Sequence, residues 1–141
     1  LNFLLDTNVV SEWIKPAPDG GVMTWLAEAD EDRVFISVVT LAELRHGIER
    51  LPPGARRDRL EIWLTAQVPE RFGTRILPVD AEIAKAWGRV TARGQALGRP
   101  VDSMDAFIAA TAECHGLTLV TRNVRDFEAL GSPLLNPWSD S

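Results

Sequence analysis

A chain of 141 residues with 15 Lys and Arg against 20 Asp and Glu, formal net charge −5, has the length of one domain and is too acidic to act as a simple nucleic-acid coat. Its 45% hydrophobic and 25% charged residues are those of a soluble globular protein, and no apolar stretch approaches the ~20 residues of a membrane span. A single cysteine, Cys114, rules out an intrachain disulfide or paired-thiol metal site and fits a reducing, cytoplasmic compartment, and no basic-then-apolar leader opens the sequence.

The run Phe3-Leu4-Leu5, closed by Asp6, reads as a short strand buried on both faces, with Asp6 or Thr7 capping a helix through Val9, Val10, Trp13 and Ile14. A breaker-rich turn over 15–21 precedes a second helix carrying Val22, Trp25, Leu26 and Ala29. The β-branched run 34–39 predicts a strand. Thr40 then caps a helix over 41–51, and Glu43 three residues later completes a capping box. Gly47, one turn below Glu43, leaves room for something to approach.

Another helix holds Leu60, Trp63 and Leu64 and is expected to end at Pro69. A strand at 76–79 leads to Asp80, the N-cap of a long helix whose core face is Ile83, Trp87, Val90 and Leu97. Asp102 caps the next helix, which is apolar nearly all round from Phe107 to Cys114 and therefore buried. Strands at 117–121 and 133–135 follow, then a polar tail. With no repeat or linker, residues 1–141 are expected to form a single domain.

Strands alternating with helices imply an α/β fold, a parallel sheet wrapped by helices. In that topology Asp6 ends the first strand and Glu43 sits in the first turn after the second. Asn123 and Asp126 follow the strand ending at Thr121, and Asp105 opens the helix that runs back to that strand. All lie at the carboxyl edge, where open parallel sheets bind ligands. Asp6 could be no more than a helix cap, Glu43 no more than the end of a capping box, and Asp126 no more than an acid in a helix's first turn. Converging carboxylates, however, are costly without a cation, and oxygen-only ligands suit Mg²⁺ or Mn²⁺. Such an ion polarises a phosphoryl oxygen and activates water. No phosphate-binding glycine loop and no Ser or Cys nucleophile with a placed His offers another chemistry, and neither His46 nor His115 has a partner at zinc-ligand spacing.

The segments 3–12 (FLLDTNVVSE), 36–48 (ISVVTLAELRHGI), 105–112 (DAFIAATA) and 119–127 (LVTRNVRDF) closely resemble the PIN-domain ribonucleases, and among them the VapC-type toxins of bacterial toxin–antitoxin pairs. The resemblance spans nearly the whole chain. It implies a three-layer fold with a parallel five-stranded sheet flanked by helices, and Mg²⁺- or Mn²⁺-dependent cleavage of RNA. It makes Asp6, Glu43 and Asp105 the first three catalytic, metal-holding acids. At the fourth position the family pattern falls on both Asn123 and Asp126; Asp126 is taken as the acid and Asn123 as its polar neighbour. Thr7, Asn8 and Thr121 become groups that orient the carboxylates. A cognate antitoxin protein and a homodimer are also implied, with DNA bound only through the antitoxin.

The arginines Arg45, Arg50, Arg56, Arg57 and Arg59 either hold RNA phosphates or form a solvated helix face. Two other readings compete with the ribonuclease. One is a non-catalytic binding module that keeps the fold. The other is a phospho-receiver domain, which needs a lysine near its acids.

Overall fold

The computed structural model of the chain describes residues 1–139, so the last two residues of the expected polar tail lie outside the described residues. Successive side chains of a strand point to opposite faces, and in β1 (Phe3–Leu5) both faces meet a core. Leu4 belongs to a cluster with Ile83, Val90, Ile108 and Leu119, and Leu5 to a second with Val9, Val22, Ile36 and Val120. β2 (Val34–Ser37), β3 (Ile76–Leu77), β4 (Thr118–Val120) and β5 (Leu134–Leu135) complete a five-stranded sheet in the order β3-β2-β1-β4-β5, every pairing parallel.

On the Leu5 face lie α1 (Thr7–Glu12), α2 (Gly20–Glu28), α3 (Val38–Glu49), α4 (Ala55–Ile62) and α5 (Val68–Phe72); on the Leu4 face lie α6 (Ala81–Ala96) and α7 (Ser103–His115). A short α8 (Val124–Phe127) follows β4. This is the expected three-layer α/β architecture. The chain winds outward from β1 through β2 to β3, whereas β4 and β5 build on the other side of β1. The order therefore reverses between β1 and β4, and the carboxyl ends of those two strands frame the crevice where such sheets place a ligand.

The structure departs from the expectations at several places. Leu97, expected on the core face of the long helix, is exposed, because α6 ends at Ala96. Cys114, expected inside a buried helix, is also exposed, in the last turn of α7. The strand predicted over 34–39 stops at Ser37, whose hydroxyl oxygen accepts from the Val39 N–H at 3.0 Å and caps α3. Val38 and Val39 enter the helix despite their β-branching, because burial of Val39 outweighs a weak propensity. Thr40 is thus no cap, there is no capping box, and Glu43 stands in the second turn of α3 rather than the first. Pro69 does not end its helix either. A π-turn over Trp63–Gln67, closed by Val68 N–H on the Trp63 carbonyl, widens the backbone ahead of it, and the run continues to Phe72 before Gly73 (φ 53°) stops it. Strand length differs too: β3 and β4 are shorter than the runs 76–79 and 117–121. Asp80 and Asp102 are caps as expected, accepting from Ile83 N–H at 2.9 Å and Met104 N–H at 3.1 Å.

The end of the described chain is clasped to α2. Trp138 is buried, and Ser139 donates from its N–H and hydroxyl to the two oxygens of Asp19, the residue that caps α2. A Cβ on Gly21 would stand 2.5 Å from the Pro137 carbonyl oxygen, so only glycine permits this approach. No helix among the described residues is long and apolar enough to cross a membrane.

Candidate active site at the carboxyl edge of the sheet

Asp6 leaves β1 at the point where the strand order reverses, and it is only 5% exposed. One carboxylate oxygen accepts from the Thr7 N–H at 2.8 Å and caps α1; the other accepts from the Thr121 hydroxyl at 2.8 Å. Capping therefore uses only one of the two oxygens. Burial pushes the Asp6 carboxyl above the usual range. The bonds from Thr121 and Thr7 work against that, and the charges of Glu43 and Asp126 add to it.

Thr121 is fully engaged. Its oxygen accepts from the Asn123 N–H at 3.0 Å and from the Asn8 amide at 3.5 Å, which leaves its own hydrogen for Asp6. The other end of the Asn8 side chain, Oδ1, is buried with no hydrogen-bond partner. Across the crevice the Thr7 hydroxyl donates to Glu43 Oε1 at 2.6 Å and lies 3.1 Å from the buried Thr40 hydroxyl. Sequence reasoning spent Thr40 on capping. Its spacing three residues before Glu43, on the same helix face, was the signal that it belongs here.

Asp105 stands in the first turn of α7. Its carboxyl is pushed up to about 7, chiefly by burial and then by the charges of Asp6, Asp102, Glu43 and Asp126. Asp126 is exposed in the first turn of α8, its N–H donating to the Asn123 carbonyl at 3.0 Å, while the Asn123 side chain makes no capping bond. Asp6 thus feels the charges of Glu43 and Asp126, and Asp105 feels those of Asp6, Glu43 and Asp126.

A hollow opens on each side of these acids. One of about 220 Å³ is bounded by Arg99, Asp105, Arg125 and Asp126. The other, also about 220 Å³, is lined by Thr7, Glu43, Gly47, Arg56, Leu60 and Trp63. The space expected at Gly47 is present, since a Cβ there would meet nothing within 4 Å. The arginine cluster divides. Arg45 and Arg57 are spent on Glu49 and Glu61, tying α3 to α4, whereas Arg56 faces the hollow beside Glu43. Lys15 pairs with Glu12 and Lys85 with Glu82, so neither offers the acids the lysine of a phospho-receiver.

The acids and Asn8 form a set of oxygen donors, which suits a hard divalent cation and no softer metal. Among the described residues no three acids, histidines or cysteines already stand at ion-holding spacing, so the acids are linked by charge and are not gathered into a finished cage. The Asp6 and Asp105 carboxyls, raised first by burial and then by the charges of neighbouring acids, and the unpartnered buried Asn8 oxygen are oxygens that a bound cation would satisfy. On these grounds the residues fit such an ion.

The family model of the PIN domain matches residues 3–132, and the chain belongs to the PIN-domain family. It is 36% identical over 135 residues to the VapC ribonuclease Y4jK of Sinorhizobium fredii, covering 96% of each chain. Its fold superposes on the crystal structure of FitAcB from Neisseria gonorrhoeae with a TM-score of 0.91 at 36% identity, covering 97% of this chain and 99% of that one. It also matches VapBC-5 of Mycobacterium tuberculosis, a member of the VapBC family of toxin–antitoxin systems, with a TM-score of 0.68 at 31% identity over 95% of both chains.

Proposed function

We propose that this protein is the toxin of a bacterial toxin–antitoxin pair and works as an endoribonuclease that depends on Mg²⁺ or Mn²⁺, with Asp6, Glu43, Asp105 and Asp126 as its catalytic acids. The observation that carries the reading is the convergence of four charge-coupled carboxylates at the β1–β4 crevice, where Thr7 and Thr121 hold two of them by hydroxyl hydrogen bonds. The family membership and the names of the relatives support it. When bound, the cation supplies Lewis acidity toward a phosphodiester and its attacking water and offsets the carboxylate charge. The chain supplies position. Asp6 is locked by Thr7 and Thr121, Glu43 is turned inward by Thr7 with Thr40 behind it, and Asn8 and Asn123 fix Thr121. Arg56 offers a phosphate contact beside Glu43.

The partner is an antitoxin protein that blocks the acidic crevice and carries any DNA contact itself. The toxin is a homodimer, which sedimentation of the free protein tests. Unpaired RNA is the better substrate, because the deep major groove of a duplex hides its base edges. The decisive experiment incubates purified protein with total RNA in Mn²⁺, in Mg²⁺ and in chelator, and maps the new ends. Discrete cuts that need the metal are expected; a well-folded protein that cuts nothing in either metal would leave the non-catalytic binding module as the surviving reading.

A further inference from the structure

The hollow between α7 and α8 has no part in the reading so far except through Asp105 and Asp126 on its rim. Its polar wall is Arg99, Asp102 and Arg125, and its apolar wall includes Val101 and Leu130. Asp102 is already used, since Oδ2 accepts from the Met104 and Asp105 N–H groups at 3.1 and 3.4 Å. Arg99 is braced against α8: it donates to the Arg125 carbonyl at 2.6 Å and pairs with Glu128 at 3.3 Å. The Arg125 side chain makes no hydrogen bond or ion pair among the described residues, although it is the arginine next to Asp126 in sequence. Arg122, the other cation of this loop, lies 5.4 Å from the Trp138 ring.

A polyanion reaching four carboxylates is repelled unless cations stand beside its path. On the Glu43 side that cation is Arg56; on the Asp105 side the hollow offers Arg125, with Arg99 behind it. We infer that this hollow is the subsite for the nucleotide flanking the cleaved bond on the Asp105–Asp126 side, with Arg125 as the residue that positions its phosphate. The inference rests on the ribonuclease reading for the word cleaved, but not for the binding it describes. Val101 and Leu130 give the flanking sugar or base an apolar surface, and the guanidinium forks the phosphate as an ammonium does not.

The test is anisotropy of a fluorescent single-stranded oligoribonucleotide across a salt series, with Ca²⁺ in place of Mn²⁺. It compares wild type, Arg125→Gln, Arg125→Lys and, as a control at the opposite edge of the sheet, Arg33→Gln. Loss of one charged contact should weaken binding by about 10-fold and lower the salt slope by ~0.7, the value of one phosphate on a single strand. Arg125→Lys should restore the slope but only part of the affinity, and Arg33→Gln should match wild type. In Mn²⁺ cleavage assays Arg125→Gln should raise KM and largely spare kcat. Unchanged affinity and slope in Arg125→Gln, or no RNA binding by wild type, overturns the subsite. A wild type that binds in this way but never cuts overturns the ribonuclease reading while supporting the subsite.

Discussion

The Asp105 carboxyl is raised by burial and then by the neighbouring acids, and its charge should govern both activity and stability. Asp105→Asn removes the ligand charge with almost no change in volume, so cleavage should vanish while circular dichroism stays native. In buffer free of divalent ions its melting temperature should equal or exceed that of wild type, since ~1 kcal/mol corresponds to about 4 °C in a domain of this size. The sign follows from linkage. With a folded pKa of about 7 against an ordinary value of 3.8, the carboxyl costs nothing below pH ~4, where it is protonated in both states. Between those values the unfolded chain releases the proton and the folded one retains it, so stability falls as pH rises. Asp6, also raised, acts in the same direction. The metal-free wild type should therefore melt progressively lower from pH 4 to 7, and Asp105→Asn should flatten that slope; a slope unaltered in the mutant would refute the assignment. Asp126 and Asn123 can be separated in the same way. Asp126→Asn should cut activity at least ~10-fold and weaken Mn²⁺ binding, so that more Mn²⁺ is needed, and Asn123→Ala should cost less. The reverse ranking would make Asp126 an ordinary acid of a helix's first turn.

At the scale of elements, what was legible in the sequence followed the strength of the local signal. Apolar runs located all five strands, and Asp80 and Asp102 announced their helices as caps. The start of α3 was misread because Val38 and Val39 look like strand, and a Thr-x-x-Glu spacing three residues later mimics a cap; only the buried contacts of the folded chain decide against both. The π-turn ahead of Pro69 has no sequence signature, for it is the local backbone's accommodation of that ring. Arg125 was passed over for a related reason, since its place in the hollow beside Asp105 comes from residues distant in sequence, whereas Thr40 carried a local signal that was read as a cap. The clasp on α2 was equally invisible, and it makes a prediction of its own. Gly21→Ala should drive the Pro137 carbonyl away, release Trp138 and destabilise the fold by about 1–3 kcal/mol, read as a lower melting temperature. An unchanged melt would mean that the clasp contributes nothing.

For the whole molecule the unusual feature is a net charge of −5 on a protein proposed to hold RNA. Affinity must then come from a few arginines and fall steeply as salt rises, through release of counterions. Because Arg57 is tied to Glu49 and Arg56 alone of the trio lines the hollow, neutralising Arg56, Arg57 and Arg59 together should lower the salt slope by about one phosphate, ~0.7. No change would return the trio to the solvated surface. The bond between Asp6 and Thr121 has a further consequence, because it joins residues 115 apart. A ribosome adding roughly 5–20 residues per second finishes Asp6 about 6–23 seconds, and Glu43 about 4–16 seconds, before Thr121 exists. Throughout that interval the central strand lacks β4 on one side, and the crevice has only half its walls. The blade is forged in two halves, and translation itself delays their meeting: the Asp6–Thr121 bond and the β1–β4 pairing close only when the last third of the chain is made.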